Sequence, residues 1–186
     1  MTEQGSVSHP GARTISRTVA ILGTGTMGRG IAQVVAQKGH STRVFDALPG
    51  RAKESIGMIA SQLEALVAKG KVTADERAKT LHHLSFTDKA EDACAGADVV
   101  IEAVPEEMGL KVSLLKAVLP VLAPNALIAS NTSSLSLTEL GAKLGVADRT
   151  IGLHFFNPPP VMQLIEIVRG LSTSDDTIAR ATEFSI

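Results

Sequence analysis

The chain has 186 residues, 44% of them hydrophobic, and a formal net charge of −1 at pH 7, which suits one sizeable domain with part of another. The near-neutral charge and the absence of Trp and Tyr argue against a nucleic-acid partner, which needs a basic field and stacking aromatic side chains. No apolar stretch approaches the roughly 20 residues of a membrane-spanning helix, so no membrane association is expected.

Residues 1–17 form the first segment and are predicted to be a flexible N-terminal tail. They are rich in Ser, Gly, Thr and Arg and show no apolar periodicity. An organellar transit peptide is the alternative, because Arg13 and Arg17 lie among serines and Glu3 is the only acidic residue. The segment is short and has no apolar helical face, so the tail is the favoured interpretation.

Residues 18–46 carry a pattern typical of dinucleotide-binding proteins. An apolar run rich in β-branched residues predicts a buried strand, and apolar residues at helical spacing then predict a helix that ends at Lys38 and Gly39. The intervening loop has the sequence G-x-G-x-x-G, and the next strand ends in an acidic residue, Asp46. A purely structural glycine turn is the alternative, but strand, loop, helix and acid in this order favour a βαβ nucleotide unit.

Each residue of this unit has a predicted role. Gly23 permits a tight turn, Gly25 lets the backbone approach a pyrophosphate, and Gly28 lets helix and strand pack closely. Asp46 is expected to accept hydrogen bonds from the adenosine ribose and to repel a 2′-phosphate, which favours NAD over NADP. The predicted cofactor contacts of the unit are Gly23, Gly25, Thr26, Met27, Gly28 and Asp46.

Two helices are predicted after Asp46. Apolar residues at three- and four-residue steps between 56 and 67 predict an amphipathic helix that ends at Lys69 and Gly70. A capping box at residues 73–76 opens a second helix that runs to Leu81. The pair is longer than a minimal crossover and is expected to form an insertion beside the sheet.

Alternating strands and helices continue to the end of the chain. We predict strands at 84–86, 97–102, 126–129, 150–155 and 163–168, and helices at 88–95, from 105 to about 119, after a capping box at 136–139, and from 173 onward. The fold class is therefore α/β, with a Rossmann-like, doubly wound, mostly parallel sheet and a helical-pair insertion. Residues 18–172 are assigned to the NAD-binding domain and residues 173–186 to the start of a helix leading to a further domain.

Three downstream segments hold the candidate catalytic residues: 130–134 (SNTSS), 154–158 (HFFNP) and 164–166 (LIE). The first two follow strands at the edge of the sheet where ligands bind. A turn after residue 157 returns the chain, so His154 and Glu166 are expected to face one another as a general base and its orienting carboxylate. The alternative is a core histidine beside a strand glutamate. Because Ser136 already caps a helix, the hydroxyls of Ser133 and Ser134 are expected to be available to a ligand.

Histidine and cysteine placement predicts no metal site. His82 and His83 are adjacent and point apart, while His9 and His40 stand alone. Cys94 is the only cysteine, so no internal disulfide can form, and we expect a small core residue in a reducing compartment, the cytoplasm.

The motifs at 23–32, 101–106, 130–134 and 154–158 together resemble the L-3-hydroxyacyl-CoA dehydrogenase family, including its 3-hydroxybutyryl-CoA members, over about residues 17–186. The resemblance implies NAD-dependent oxidation of an L-3-hydroxyacyl-CoA to the 3-ketoacyl-CoA, as in fatty-acid β-oxidation. It implies that His154 is the catalytic base, that Glu166 orients it, and that Ser133 contacts the substrate oxygen and the nicotinamide. It also implies cofactor contacts at Glu106, Lys111 and Asn157 and a CoA contact at Lys69, a position that is equally an ordinary helix terminus.

Members of the family continue into an all-helical domain that closes over the substrate and forms a homodimer. The chain is thus expected to be either part of a longer enzyme or a natural short protein that binds NAD without catalysis. A third interpretation is a dehydrogenase of a 3-hydroxy acid without CoA. The pair of His154 and Glu166 argues against those relatives that use a catalytic lysine.

Overall fold

The computed structural model describes residues 17–185, which form seven strands and seven α-helices. The strands are β1 (Thr18–Leu22), β2 (Ser41–Phe45), β3 (Leu84–Phe86), β4 (Val99–Glu102), β5 (Leu127–Ser130), β6 (Thr150–Phe155) and β7 (Ile165–Arg169). The helices are α1 (Thr26–Gln37), α2 (Arg51–Ala68), α3 (Ala74–His82), α4 (Ala90–Cys94), α5 (Met108–Val118), α6 (Leu137–Leu144) and α7 (Asp175–Ser185), with short 3₁₀ turns at Leu119–Val121 and Ala147–Arg149.

The seven strands form one sheet in the order β3-β2-β1-β4-β5-β6-β7. Every neighbouring pair is parallel except β6 and β7, which are antiparallel. The strand order reverses between β1 and β4, and this reversal opens a crevice at the carboxyl ends of the strands. The predicted Rossmann-like, doubly wound and mostly parallel sheet is confirmed.

The sheet separates two hydrophobic cores, because successive side chains of each strand point to opposite faces. On one face, Val19 and Ile21 of β1 pack with residues of α1, α2 and α7. On the other face, Ala20 and Leu22 pack with residues of α4, α5 and α6. Fully burying one such side chain stabilises the fold by about 1.5–3 kcal/mol. Both cores are continuous along the sheet, so the strand ends are held rigidly where the crevice opens.

Helices α2 and α3 form the predicted helical pair, which is the crossover that leads from β2 to β3. The capping box at the start of α3 is confirmed: the N–H of Glu76 donates to Thr73 Oγ1 at 3.1 Å, and the N–H of Thr73 donates to Glu76 Oε2 at 2.7 Å. Ile59 and Leu63 bury α2 against the sheet, so the pair contributes to the core.

Helix α5 begins later than predicted. The sequence placed Pro105 and two glutamates in its first turn, whereas α5 starts at Met108 and has no acidic residue there. The backbone of Glu107 is extended (φ −133°, ψ 115°), and Glu106 lies in the preceding loop. The cause is that the Glu106 carboxylate is bonded to residues after β5, which is described below.

The capping box predicted at residues 136–139 is only half formed. Ser136 Oγ accepts the N–H of Glu139 at 3.2 Å, but the Glu139 carboxylate lies 3.5 Å from Lys143 Nζ. Ser136 therefore caps α6 as predicted, while Glu139 pairs along the helix surface.

The last helix, α7, packs on the same sheet. Ala181 is fully buried in the core, and the ring of Phe184 stacks on His40 with centroids 5.3 Å apart. Arg17, the last residue of the predicted tail, donates to Glu183 Oε1 at 2.7 Å. Residues 1–16, the rest of that prediction, lie outside the described residues. Among residues 17–185, no helix combines the length and apolar character needed to cross a membrane.

Cys94, the last residue of α4, is buried in the core, as the sequence predicted. Burial and the nearby Glu91 raise the pKa of its thiol to about 12, against a smaller opposing effect of Arg43. The thiol is therefore neutral and takes no part in the chemistry discussed below.

Candidate functional site

The glycine loop after β1 has the backbone geometry expected of a nucleotide site. Gly23 has φ +92°, and a Cβ there would lie 2.8 Å from the carbonyl oxygen of Ala103. A Cβ on Gly28 would lie 1.8 Å from the carbonyl oxygen of Gly23, so only glycine permits this approach of α1 to β1. The turn and packing roles predicted for these two glycines are confirmed. Gly25 differs, because no atom lies within 4 Å of a Cβ placed there, and its backbone faces open space.

A cleft of about 580 Å³ lies beside this loop, at the switch point of the sheet. It brings together five of the predicted cofactor contacts, namely Gly23, Gly25, Thr26, Met27 and Asp46. Apolar side chains, including Leu48, Val104 and Leu110, line much of the remaining wall. Gly28 is buried beneath the loop, so its part in the site is to let the helix approach.

Asp46 is held at one end of the cleft by three hydrogen bonds. Its Oδ2 accepts the N–H and the hydroxyl of Thr24, both at 2.8 Å, and its Oδ1 accepts the N–H of Leu48 at 3.0 Å. Partial burial raises the pKa of Asp46, but these hydrogen bonds and the charge of Arg51 outweigh it and bring the pKa below its ordinary value. A carboxylate offers about four lone-pair sites, so one stays available on Oδ1 for a ribose hydroxyl.

A buried ion pair lies at the carboxyl end of β4. Lys111 Nζ donates to Glu102 Oε1 at 2.8 Å and to Oε2 at 2.9 Å, and the two side chains are 2% and 0% exposed. Glu102 Oε2 also accepts the Ser130 hydroxyl at 2.6 Å. The same ammonium lies 3.1 Å from Glu106 Oε2. Lys111, predicted by resemblance as a cofactor contact, is thus enclosed beneath Glu106, with its donors directed at protein oxygens.

Glu106 joins this ion pair to the loop after β5. Its Oε1 accepts the N–H groups of Ser133 and Ser134 at 3.1 and 3.2 Å, the Ser134 hydroxyl at 3.0 Å, and the Thr132 hydroxyl. Partial burial raises the pKa of Glu106, but the hydrogen bonds from Thr132, Lys111 and Ser134 lower it to about 2. The Ser134 hydroxyl is therefore bonded to Glu106, contrary to the expectation that it is available to a ligand, because the carboxylate gathers the donors of this loop. Ser133 is exposed and bonds to Glu106 through its backbone.

His154 and Glu166 face one another across β6 and β7, as predicted. The two residues are directly paired in the antiparallel register, and His154 Nδ1 lies 2.9 Å from Glu166 Oε2. The side chains are 22% and 54% exposed, and the imidazole packs against the ring of Phe156. With Nδ1–H donated to the carboxylate, Nε2 is left as the acceptor that a substrate can reach.

Asn131 connects the loop after β5 to strand β6. Its Oδ1 accepts the N–H of Phe155 at 2.9 Å, and its own N–H donates to the carbonyl oxygen of Glu102 at 2.9 Å. The segment that carries Ser133 is thereby fixed to both β4 and β6, which places it on the same edge of the sheet as His154.

Two other predicted site residues lie on exposed segments. Asn157 follows β6 in the turn that returns the chain to β7. Lys69 is the residue that ends α2, a helix of 18 residues that spans about 27 Å from Arg51 at the cleft. Their predicted contacts with cofactor and CoA stay predictions.

Sequence reasoning assigned no role to four residues that organise the site: Thr24, Glu102, Ser130 and Asn131. A signal for one of them existed. Lys111, Leu115 and Val118 are the buried residues of α5 and lie at i, i+4 and i+7, so a lysine occupies a core position of the helix. A buried lysine requires a carboxylate, and Glu102 closes the adjacent buried strand. Thr24 and Asn131 act through loop contacts, and Ser130 acts through a contact with the neighbouring strand β4; sequence periodicity predicts none of these contacts.

The geometry fits a dinucleotide and offers no metal centre among the residues described. The N-terminus of α1 has no side-chain cap, so its first N–H groups are available to an anion beside the open face of Gly25. The cleft wall is apolar where an adenine would lie, and Asp46 lies at its end. In residues 17–185, no three His, Cys, Asp or Glu side chains are grouped to hold a metal ion.

Known proteins are similar to this chain in sequence and fold. The 3-hydroxyadipyl-CoA dehydrogenase of Escherichia coli (strain K12) is 40% identical over 91% of this chain and 36% of that protein. A probable 3-hydroxybutyryl-CoA dehydrogenase of Bacillus subtilis (strain 168) is 39% identical over 87% of this chain and 56% of that protein. The crystal structure of (S)-3-hydroxybutyryl-CoA dehydrogenase from Ralstonia eutropha gives a TM-score of 0.86 and 43% identity, covering 92% of this chain and 60% of that one.

The chain thus spans less than two thirds of the length of each of these relatives. The sequence model of a protein family, the 3-hydroxyacyl-CoA dehydrogenase NAD-binding domain, matches residues 18–186. The chain belongs to the 3-hydroxyacyl-CoA dehydrogenase family, and it carries that family's NAD-binding domain.

Proposed function

We propose that the whole protein oxidises an L-3-hydroxyacyl-CoA to the 3-ketoacyl-CoA with NAD, and that this chain supplies the cofactor site and the catalytic pair. The observation that carries the proposal is the 2.9 Å contact between His154 Nδ1 and Glu166 Oε2, on paired strands at the edge of the sheet where the NAD cleft opens. The names of the relatives support a 3-hydroxyacyl-CoA as the substrate class.

In the proposed reaction, the cofactor accepts a hydride and the side chains move a proton. Bound NAD supplies the acceptor for the hydride that leaves the alcohol carbon. His154 Nε2 removes the hydroxyl proton, and Glu166 stabilises the imidazolium that results through the bond to Nδ1–H. A positioned general base contributes typically about 10²–10⁴-fold to the rate. Ser133, on the loop that Glu106 holds, is proposed to bind the substrate oxygen.

Further contacts of the whole protein are also proposals. We infer that Lys69 meets the CoA moiety and that Asn157 meets the cofactor, as the family resemblance implies. We also propose that α7 leads into a helical domain that covers the site and forms a homodimer, in a cytoplasmic location. In support, Ser185 at the end of α7 lines a cavity of about 480 Å³ together with Met162 and Leu164, which are exposed apolar side chains.

The decisive experiment is His154→Gln in the full protein. We expect the reduction of acetoacetyl-CoA by NADH to fall by about 10²–10⁴-fold, because in this direction the protonated His154 is the general acid that donates the proton to the forming hydroxyl. NAD affinity, measured by calorimetry, should stay close to that of the unchanged protein, because the imidazole holds little of the cofactor. His82→Gln, on the exposed side of α3, is the matched control and should change neither quantity.

Three outcomes would separate the candidate functions. Near-normal turnover by His154→Gln would place the base elsewhere. Turnover of 3-hydroxy acids without CoA, at rates above those of the CoA esters, would favour the dehydrogenase without CoA. NAD binding with no turnover of either class in the full protein would favour a non-catalytic NAD-binding module.

A further inference from the structure

The ion pair of Glu102 and Lys111 is the most deeply buried pair of charges in the described residues. Neither side chain reaches the cleft surface, and the cofactor roles implied by the family resemblance do not include Glu102. Removing two charges from water is costly, and a salt bridge of this kind is often no more stabilising than an apolar pair of equal volume. Stability alone therefore does not explain why an ion pair lies at the carboxyl end of β4.

Lys111 occupies a core position of α5. It is one of the three buried residues of α5, with Leu115 and Val118, and faces the core that contains Val100 and Ile128. Leucine or methionine would fill such a position without any desolvation of charge. What lysine adds is an ammonium group with several acceptors around it.

Lys111 Nζ connects two carboxylates that have different surroundings. On one side is Glu102, whose oxygens also accept the N–H of Val104 at 2.7 Å and the Ser130 hydroxyl at 2.6 Å. On the other side is Glu106, whose Oε2 lies 3.1 Å from Nζ and whose side chain is 39% exposed. The buried carboxylate orients the ammonium, and the ammonium fixes one oxygen of the exposed carboxylate.

The second oxygen of Glu106 is then directed at the 132–134 loop, where it accepts the donors of Thr132, Ser133 and Ser134. Ser130 connects the start of the loop to the buried pair: its hydroxyl donates to Glu102 Oε2, and its Oγ accepts the N–H of Thr132 at 3.3 Å. The loop is thus tied to the buried pair at both of its ends. A dinucleotide whose ribose lies at Asp46, on the β2 side of the switch point, extends toward this loop on the β4 and β5 side.

We propose that Glu102 and Lys111 are positioning residues, which hold the Glu106 carboxylate, and through it the 132–134 loop, at the nicotinamide end of the cleft. The assignment of that end to the nicotinamide rests on the proposed function. The role depends on the charge of Lys111, and this dependence distinguishes it from a purely structural role in the packing of α5.

The test uses three variants of the full protein. Lys111→Met keeps the stem of the side chain and removes the charge, and it leaves Glu102 buried without its partner, so we expect a loss of thermal stability. Glu102→Gln with Lys111→Met makes both buried positions neutral and should restore the melting temperature. Lys116→Met, an exposed position of the same helix, is the control and should behave as the unchanged protein.

In the double variant, two measurements test whether Glu106 is still held in place: the titration of its carboxyl group and the affinity for NAD. Its carboxyl carbon, followed by NMR titration, should titrate closer to the ordinary pH range of glutamate than in the unchanged protein, because the ammonium is gone. NAD affinity by calorimetry should fall about tenfold, the effect expected when a charge-assisted hydrogen bond no longer orders the loop.

The outcomes are distinct for the two proposals. A double variant that recovers its melting temperature but not its NAD affinity or the Glu106 titration supports the positioning role. Recovery of all three quantities, or a Glu106 titration that never moved, overturns it in favour of packing. The titration needs neither NAD nor substrate, so it decides the positioning role even if the full protein fails to oxidise an acyl-CoA, a result that would refute the proposed function alone.

Discussion

At the scale of single residues, Asp46 is the side chain from which the cofactor preference can be argued most directly. Three hydrogen bonds fix the carboxylate and lower its pKa, so it is fully charged at neutral pH. The neighbouring Arg51 lines the same cleft and partly offsets that charge. We therefore expect tighter binding of NAD than of NADP, with a gap that depends on the charge of Asp46.

Asp46→Asn tests this expectation. The amide keeps the size of the side chain and removes the repulsion of a 2′-phosphate, so the preference for NAD should fall by about tenfold. Titration of both cofactors into the purified chain measures the change, and Asp92→Asn, an exposed carboxylate on α4, is the control. An unchanged preference would assign the discrimination to other residues.

His40 carries a prediction about pH. Burial, followed by the charges of Arg17, His83 and Lys38, lowers the pKa of its imidazole, and Nδ1 accepts the N–H of Arg17 at 3.3 Å. The folded chain thus keeps His40 neutral at a pH where the unfolded chain, with a histidine pKa of about 6.5, takes up a proton. The free energy of unfolding contributed by His40 is complete above that pH and decreases as pH falls toward the lower folded pKa.

Chemical unfolding between pH 7.5 and 5.5 checks the sign. Stability should decline with acid in the unchanged chain, and His40→Gln should flatten the decline over this range, although it lowers stability at neutral pH by removing the stack on Phe184. His82→Gln should keep the decline. A decline equal in both variants would assign the pH dependence to other groups.

The sequence predicted those site features that follow from a local pattern, such as a turn between two strands or the spacing of glycines. The facing of His154 and Glu166 followed from a turn between two strands, and the glycine roles followed from their spacing. The linking contacts did not follow: Asn131 reaches Phe155, and Thr24 reaches Asp46, through loops whose conformation depends on the whole sheet. The role of Glu102 was missed although Lys111 occupies a core position of α5, because the two residues are nine positions apart, across a loop and a helix start.

At the scale of elements, the approach of α1 to β1 is the contact that leaves least room for change. Gly28→Ala would place a Cβ 1.8 Å from the carbonyl oxygen of Gly23, so α1 must move away from the strand. We expect destabilisation by about 1–3 kcal/mol and loss of most NAD affinity, because the helix N-terminus moves with it.

Gly57→Ala is the matched control. Gly57 lies in the middle of α2 at a solvent-exposed position, and no atom lies within 4 Å of a Cβ added there. Alanine should stabilise the chain there by about 0.5–1 kcal/mol and leave NAD binding unchanged. Thermal unfolding and calorimetry on both variants give the comparison. Equal effects of the two substitutions would mean that the close approach at Gly28 is not limiting.

Strands β1, β3 and β6 were predicted within one or two residues, because the residues that bound them are local signals. The start of α5 was wrong by three residues. Proline and two acids are a good local signal for a first turn, but the tertiary bonds of Glu106 to the 132–134 loop hold that segment in extended backbone.

At the scale of the whole molecule, the sheet with its two cores should fold and bind NAD as the isolated chain. All of the strands on both sides of the switch point lie within residues 18–169, and each face has its own helices. We expect little turnover of acyl-CoA from the chain alone, because the exposed Glu166 and the open cleft leave the substrate without a covering surface. Holding reactants in geometry can be worth roughly 7–11 kcal/mol of the barrier.

Calorimetry with NAD and steady-state oxidation of NADH by acetoacetyl-CoA measure the two halves of this prediction. The isolated chain should also self-associate, because Val161, Leu164, Val168 and Leu171 are exposed apolar side chains near one another in sequence. Leu171→Ser, at a side chain that is 88% exposed, should reduce self-association without changing NAD affinity. Ordinary dehydrogenase rates from the isolated chain would contradict the need for a covering domain.

The antiparallel pairing of β6 with β7 has a consequence for how this enzyme family can diversify. His154 and Glu166 are opposite one another because the main-chain ladder aligns them, and a slip of one residue would turn Glu166 to the other face of the sheet. The exposed segment between Pro160 and Ile165 makes no part of that ladder, so an insertion after Met162 leaves the register of His154 and Glu166 intact. An insertion of one residue within β7 would reverse that facing. Evolution can therefore lengthen or shorten this loop while His154 and Glu166, the proposed proton-transfer pair, keep their contact.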